Sequence, residues 1–388
     1  MNEMVSPIVA TTNLAKDALR IRAVKTTIVD LPIRRAHQFA KAKISSQAFL
    51  IVEIETESGI TGLGEGATPG GPWWSGDSIE TMKVMIDTYL APAIVGQSAG
   101  DVTALHGLMN KVAFANYFAK AAVDIALWDI VGKALNAPVH ALFGGMVRDS
   151  SEISWALATG EADTDIAEAE DMIARKAAKV FKLKGGAKPP QADVERAVKV
   201  AKALAGRAEV RIDLNQVWDE TTANRWIPAL IDGGISLLEQ PVQGWNFDGL
   251  KRIRERFGIK VMADESVCTL QDAMRLAGSA AVDVFAYKVM KSGGLTACRQ
   301  IAGIAEAAGI ASYGGTFLES SIGTSAGLQV AAAERSVTFG SEFIGGIWLA
   351  DEIVTEPLVY RDFHVFVPTR PGIGMTLDRD KFEHYRRK

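Results

Sequence analysis

The chain has 388 residues, 48% of them hydrophobic and 23% charged, and its 42 basic against 46 acidic side chains leave a net charge of −4. That balance belongs to a folded protein with a large core; it excludes disordered and fibrous classes and supplies no basic face for nucleic acid or an anionic membrane. At roughly 150 residues per domain the length fits two or three domains, and two if one is an α/β barrel of about 250 residues.

Residues 1–20 read as a polar leader. Residues 21–148 read as an α+β module: β-branched alternation runs from Arg22 to Pro32 and again from Ser45 to Glu65, where Ser58-Gly59 marks a tight turn between two strands. From Ser78 to Leu135 the pattern turns helical, and Ala119–Ala134 is apolar on most faces, as a buried helix requires. The run Gly62-Leu-Gly-Glu-Gly opens no helix and is followed by no Gly-Lys-Ser/Thr, which argues against a nucleotide site. After Gly144-Gly145, short apolar strands alternate with amphipathic helices, the signature of parallel β/α units. Strands are expected at 153–157, 180–183, 210–214, 236–239, 260–263, 282–287, 311–313 and 338–340. Eight such strands favour a closed barrel over residues 149–355. The proline-bearing tail, 356–388, is expected to return to the first module.

Two cysteines, Cys268 and Cys298, are too few for a disulfide framework and lack metal-knuckle spacing, so both are expected as buried thiols in a reducing, cytoplasmic setting. No apolar stretch reaches the ~18 residues of a membrane span. The chain has 46 acids but only five histidines, so metal or hydrolytic chemistry would fall to carboxylates and lysines.

In a parallel barrel the chemistry sits at the C-terminal ends of the strands. Five polar residues close apolar runs there: Lys184, Asp213, Glu239, Asp264 and Lys288, spaced by 29, 26, 25 and 24 residues, about one β/α unit each. They would project from five successive strands into one mouth. Three carboxylates converging without His or Cys suit a hard divalent cation, Mg²⁺ or Mn²⁺, which accepts oxygen ligands and offsets their repulsion. Lys182 and Lys184, two apart on a strand, share a face, and Lys288 stands opposite them across the acids. A cation between two lysines suits chemistry in which a carbon next to a carboxylate gains or loses a proton.

These residues resemble the enolase superfamily, in its muconate-lactonizing subgroup. The Lys-x-Lys, Asp-x-Asn, Glu-Gln-Pro, Ala-Asp-Glu-Ser and Lys-x-x-Lys-x-Gly-Gly blocks appear in order, followed by Tyr313-Gly-Gly-Thr-Phe-Leu-Glu-Ser-Ser-Ile-Gly-Thr and Ser341-Glu-Phe. The resemblance implies an α/β fold, a (β/α)₇β modified TIM barrel capped by an α+β domain built from both chain ends. It implies that Asp213, Glu239 and Asp264 bind Mn²⁺ or Mg²⁺, that Lys184 is the leading acid/base with Lys182 assisting, that Lys288 acts from the other face, and that Glu342 belongs to the catalytic set. The implied reaction is lactonisation of cis,cis-muconate or a substituted relative, a small dicarboxylate, by a homo-oligomer, an octamer in the family. Related racemase and o-succinylbenzoate synthase activities use the same machinery. Substrate contacts are implied for His37, Trp74, Asn215 and Ile344, with the capping loops at 33–39 and 66–76. Gly185 stands where an apolar residue is expected, and Ile344 near a place where a larger aromatic is common.

Overall fold

The structure, a computed structural model, describes residues 17–388, so residues 1–16 of the expected leader lie outside it. Strands β1 (Ile21–Gln38), β2 (Lys43–Thr56) and β3 (Thr61–Ala67) form the expected antiparallel meander in that order. One difference concerns residues 33–39. They are not a free loop, because β1 continues through them with its register broken between Pro32 and His37. A bulge of this kind re-aims side chains, and His37 is buried.

Helix α1 (Val102–Val112) precedes α2 (Tyr117–Ala134), whose buried residues run almost unbroken from Phe118 to Gly132. The glycines of β3 explain how α2 lies so close: a Cβ on Gly62 or Gly64 would fall 2.2 and 2.0 Å from the backbone oxygens of Ala126 and Ala122. The Gly62–Gly66 run is a packing surface.

The barrel alternates β4 (Ser154–Leu157), α3 (Ala162–Ala174), β5 (Val180–Lys184), α4 (Pro190–Leu204), β6 (Glu209–Asp213), α5 (Glu220–Asp232), β7 (Leu237–Glu239) and α6 (Phe247–Phe257). It continues with β8 (Lys260–Ala263), α7 (Leu270–Ser279), β9 (Val284–Tyr287), the one-turn α8 (Val289–Ser292), α9 (Leu295–Ala307), β10 (Ala311–Gly314), α10 (Ser321–Ala333), β11 (Val337–Ser341) and the one-turn α11 (Gly345–Trp348). The eight strands pair in chain order, and a parallel bridge from Ile153 to Ser341 joins the first to the last. α5 runs through Pro228, whose ring is exposed, and starts on Asp219, which accepts from Thr222 N.

The tail takes two courses. Tyr360–Arg361 and His364–Phe366 form a hairpin on Ser150–Glu152, at the beginning of the barrel rather than on the cap. The last residues do return to the cap: Asp30 N bonds Tyr385 O at 2.9 Å and Arg387 N bonds Ile28 O at 2.9 Å. Among the described residues no helix is long and apolar enough to cross a membrane.

Two buried cap carboxylates occupy the N-termini of barrel helices, where unpaired N–H groups and the helix dipole favour negative charge. Asp124 of α2 accepts from Leu295 N at 2.6 Å at the start of α9. Glu65 of β3 accepts from Ser320 N at 2.9 Å and from the Ser320 hydroxyl at the start of α10. Burial still pushes the Glu65 carboxyl up to about 8, with Glu319 and Glu352 adding repulsion against the two Ser320 bonds. A carboxyl raised in the folded state contributes stability that is complete below its unfolded value, near 4.5, and is lost as pH rises towards about 8. Glu65→Gln should therefore flatten the fall in melting temperature between about pH 5 and 8, where the wild type loses at most roughly 1.4 kcal/mol per pH unit through this group. Thermal melts across that range check it, and parallel curves for the two proteins would contradict it.

Candidate active site

The strand ends place the predicted residues side by side. Lys184 closes β5, Asp213 closes β6 and Glu239 closes β7, and the backbone register pairs Lys184 with Asp213 and Asp213 with Glu239. Asp264 and Lys288 directly follow β8 and β9. Lys182, Asp213, Glu239, Asp264, Lys288 and Glu342 are all buried, and Lys184 is 7% exposed.

Each carboxylate meets a lysine. Lys184 Nζ donates to Asp213 at 2.6 Å; Lys182 Nζ donates to Glu239 and to Glu342 at 2.6 Å each; Lys288 Nζ donates to Asp264 at 2.6 Å. Isolated charges at such depth would be strongly disfavoured, and pairing within hydrogen-bond distance is what makes them tolerable. Burial raises Glu239 to about 7, with Lys182 opposing and Asp213 and Asp264 reinforcing the rise. Burial also acts to raise Asp264, but Lys288 and Lys291 outweigh it and hold the carboxyl below its usual range.

Several contributors were not singled out from the sequence. Lys291, one turn beyond Lys288, donates to Asp264 Oδ1 at 2.7 Å and to its carbonyl at 2.5 Å; its place in the Lys-x-x-Lys block was the available signal. The Gln240 side-chain oxygen accepts from Asp264 N at 3.0 Å and Ser266 N at 3.1 Å, so the end of β7 fixes the loop that carries Asp264. Arg196 of α4 holds the Lys184 carbonyl at 2.6 Å. Glu265, which burial raises to about 8, lies beside the acids. Asn215 bridges to it at 3.3 Å and to Asp213 at 3.2 Å.

The aromatic residues are distributed on both lysine faces. Lys184 Nζ lies 5.5 Å from the Phe39 ring centre, and that ring is 4.5 Å from His37. His37 is 1% exposed, and burial followed by Lys184, Arg35 and Lys182 lowers its pKa well below the usual value, so it is neutral; neither ring nitrogen has a partner. On the opposite face Lys288 Nζ is 4.5 Å from the Phe317 ring and 5.4 Å from that of Trp74, which stack edge-on at 4.6 Å. Trp74 is thus brought to Lys288, and its neighbour Trp73 donates to Pro69 O at 2.7 Å within the capping loop. Ile344 is buried two residues past Glu342, at the start of α11. At Gly185 a Cβ would stand 3.0 Å from the Leu214 side chain and 3.3 Å from that of Ile212, a tight fit against two side-chain ends.

The chemistry of this donor set fits a hard divalent cation. Asp213, Glu239 and Asp264 offer oxygens from three adjacent strands, and Glu239 Oε1 and Glu265 Oε2 are buried without any hydrogen-bond partner. The expected convergence differs in one respect: among the described residues no three His, Cys, Asp or Glu side chains close to metal-ligating distance. Their oxygens instead meet buried lysines: Glu239 meets Lys182, Asp213 meets Lys184, and Asp264 meets both Lys288 and Lys291.

Gly315 leaves room for Lys288, since a Cβ there would fall 2.7 Å from Lys288 Cε and 2.8 Å from its Cγ. Gly315→Ala should displace the ammonium and lower kcat by about 100-fold, the scale for a 1 Å misplacement. Trp74→Leu should lower kcat by roughly 2- to 30-fold through loss of one cation–π contact. Steady-state kinetics on folded variants check both; an unchanged kcat would remove these residues from control of Lys288.

Residues 21–144 match the family model described as the mandelate racemase / muconate lactonizing enzyme N-terminal domain, and residues 150–381 match the enolase C-terminal domain-like model. A chloromuconate cycloisomerase of Cupriavidus necator is 44% identical over 95% of this chain and 100% of its own. The muconate cycloisomerase 1 of Rhodococcus opacus is 42% identical over 95% and 99%. The crystal structure of a muconate lactonizing enzyme from Pseudomonas fluorescens, complexed with muconolactone, superposes with a TM-score of 0.93 at 39% identity, covering 95% of this chain and 100% of that one. The chain belongs to the mandelate racemase / muconate lactonizing enzyme family of the enolase superfamily.

Proposed function

We propose that the protein is a cycloisomerase that reversibly lactonises cis,cis-muconate or a substituted muconate. The observation that carries this reading is the pair of lysines, Lys184 and Lys288, on opposite sides of the buried acids Asp213, Glu239 and Asp264. Its support is similarity over nearly the whole chain to relatives named muconate and chloromuconate cycloisomerases.

Asp213, Glu239 and Asp264 would hold Mn²⁺ or Mg²⁺, which supplies charge stabilisation for the substrate carboxylate as negative charge develops there. One substrate carboxylate forms a C–O bond at the distal alkene carbon. The alkene electron pair then moves towards the carbon next to the other carboxylate, and Lys184 delivers a proton to that carbon. In the reverse direction Lys184 removes it. Lys182, held by Glu239 and Glu342, keeps a fixed positive charge beneath the site, because its two carboxylates outweigh burial and raise it well above the usual lysine value. Lys288 faces the other side of the substrate. Phe39, Phe317 and Trp74 exclude water around both ammonium groups. His37, neutral and with unpaired nitrogens, is available to a polar group of the substrate, and Asn215 and Ile344 complete its surroundings. The reading extends to a cytoplasmic homo-oligomer, supported by the family resemblance and by the free thiols of Cys268 and Cys298.

Loss of the ultraviolet absorbance of cis,cis-muconate in the presence of Mn²⁺ tests the activity directly. Turnover should cease with chelator and return with metal. Lys184→Ala should lower kcat by about 10²–10⁴-fold, the range for a general acid/base. No turnover of any muconate by the metal-loaded wild type would overturn the proposal.

A further inference from the structure

A cleft of about 440 Å³ lies on the seam between the cap and the barrel, outside the catalytic mouth. The cap lines it with His106, Tyr117 and Lys120, and the barrel with Gln271, Thr296 and Gln300. Lys120 is 3% exposed. The other buried lysines, Lys182, Lys184, Lys288 and Lys291, each have a carboxylate at 2.7 Å or less. Lys120 has none: its ammonium bonds the neutral Asn110 Oδ1 at 2.8 Å and Ala113 O at 2.7 Å. Burial lowers its pKa and no nearby charge opposes that.

Its position deepens the deficit. Lys120 occupies the first turn of α2, where the helix dipole is already positive, with no acid in that turn and no side-chain cap from Asn116. No carboxylate lines the cleft. The Asp124 carboxylate behind it is committed to His106, Thr296 and the start of α9. The side-chain amides of the exposed Gln271 and Gln300 make no hydrogen bond to the described residues and add neutral donors at the barrel rim of the cleft. A buried cation is ordinarily paired, so this one lacks a partner of opposite charge.

We propose that the seam cleft is a second binding site, for a small oxyanion, carboxylate or phosphate, which supplies the counter-charge to Lys120 and bridges cap to barrel. The barrel side of the cleft includes Ser292 and Gly293, at the end of the turn that begins after Lys288, so an occupant would brace α8.

The test is thermal melting of the metal-loaded full chain in inorganic phosphate and, separately, in acetate, a monocarboxylate unlike the dicarboxylate proposed for the catalytic mouth, each against chloride at equal ionic strength. A saturable rise in melting temperature is expected with at least one anion, and comparison of the two assigns the class. Lys120→Met should abolish the rise while leaving kcat within about twofold. Gln300→Glu, which places a carboxylate in the cleft, should raise the melting temperature without added anion and remove the response to it. The proposal is overturned if neither anion gives a saturable rise, if Lys120→Met retains it, or if Gln300→Glu responds as the wild type does. Activity on muconate is measured alongside, so a failure of the catalytic reading shows separately from a failure of this one.

Discussion

Four carboxylates and four lysines are buried together at the mouth of this barrel, and the geometry of the candidate site depends on their mutual neutralisation. Asp213, Glu239, Asp264 and Glu342 face Lys182, Lys184, Lys288 and Lys291 through contacts of 2.6–2.7 Å. Removing one member would leave its partner as an uncompensated charge in a low-dielectric interior, a larger cost than the net value of the pair. The cluster is therefore rigid as a set: each side chain is held where another needs it. Strand order supplies the spacing and the ion pairs supply the aim.

A second set of buried acids joins the cap to this barrel. Asp124 and Glu65 sit at the N-termini of α9 and α10, and Asp129 accepts from Leu63 N within the cap at 2.8 Å and from Ile373 N in the tail at 2.9 Å. Apolar packing is indifferent to small rotations, whereas a carboxylate on helix N–H groups fixes orientation. That precision matters because Trp74, Phe39 and His37 all come from the cap and must meet lysines that belong to the barrel. These contacts fix how the cap residues sit against the barrel lysines.

Much of the fold was legible in the sequence because β/α periodicity is local. The eight strands appear where alternation and apolar runs placed them, with ends shifted by one or two residues, and the one-unit spacing of Lys184, Asp213, Glu239, Asp264 and Lys288 directly encodes their shared mouth. The bulge after Pro32 was not legible, since it reflects pairing between β1 and β2 rather than a turn composition. The hairpin at Tyr360–Phe366 likewise binds Ser150–Glu152 from more than 200 residues away in sequence, beyond any local pattern.

What the sequence determined by itself was the class of chemistry: acids and lysines at strand ends, few histidines, and a barrel to hold them. Only the tertiary structure decided how each group is used. Lys182 lies between Glu239 and Glu342, residues 57 and 160 positions away. Trp74 stands against Lys288, and Lys120 is left without an acid. Periodicity records which face a residue occupies; partners, burial and the resulting charge balance arise when distant segments pack, and they depend on distances that no one-dimensional spacing contains.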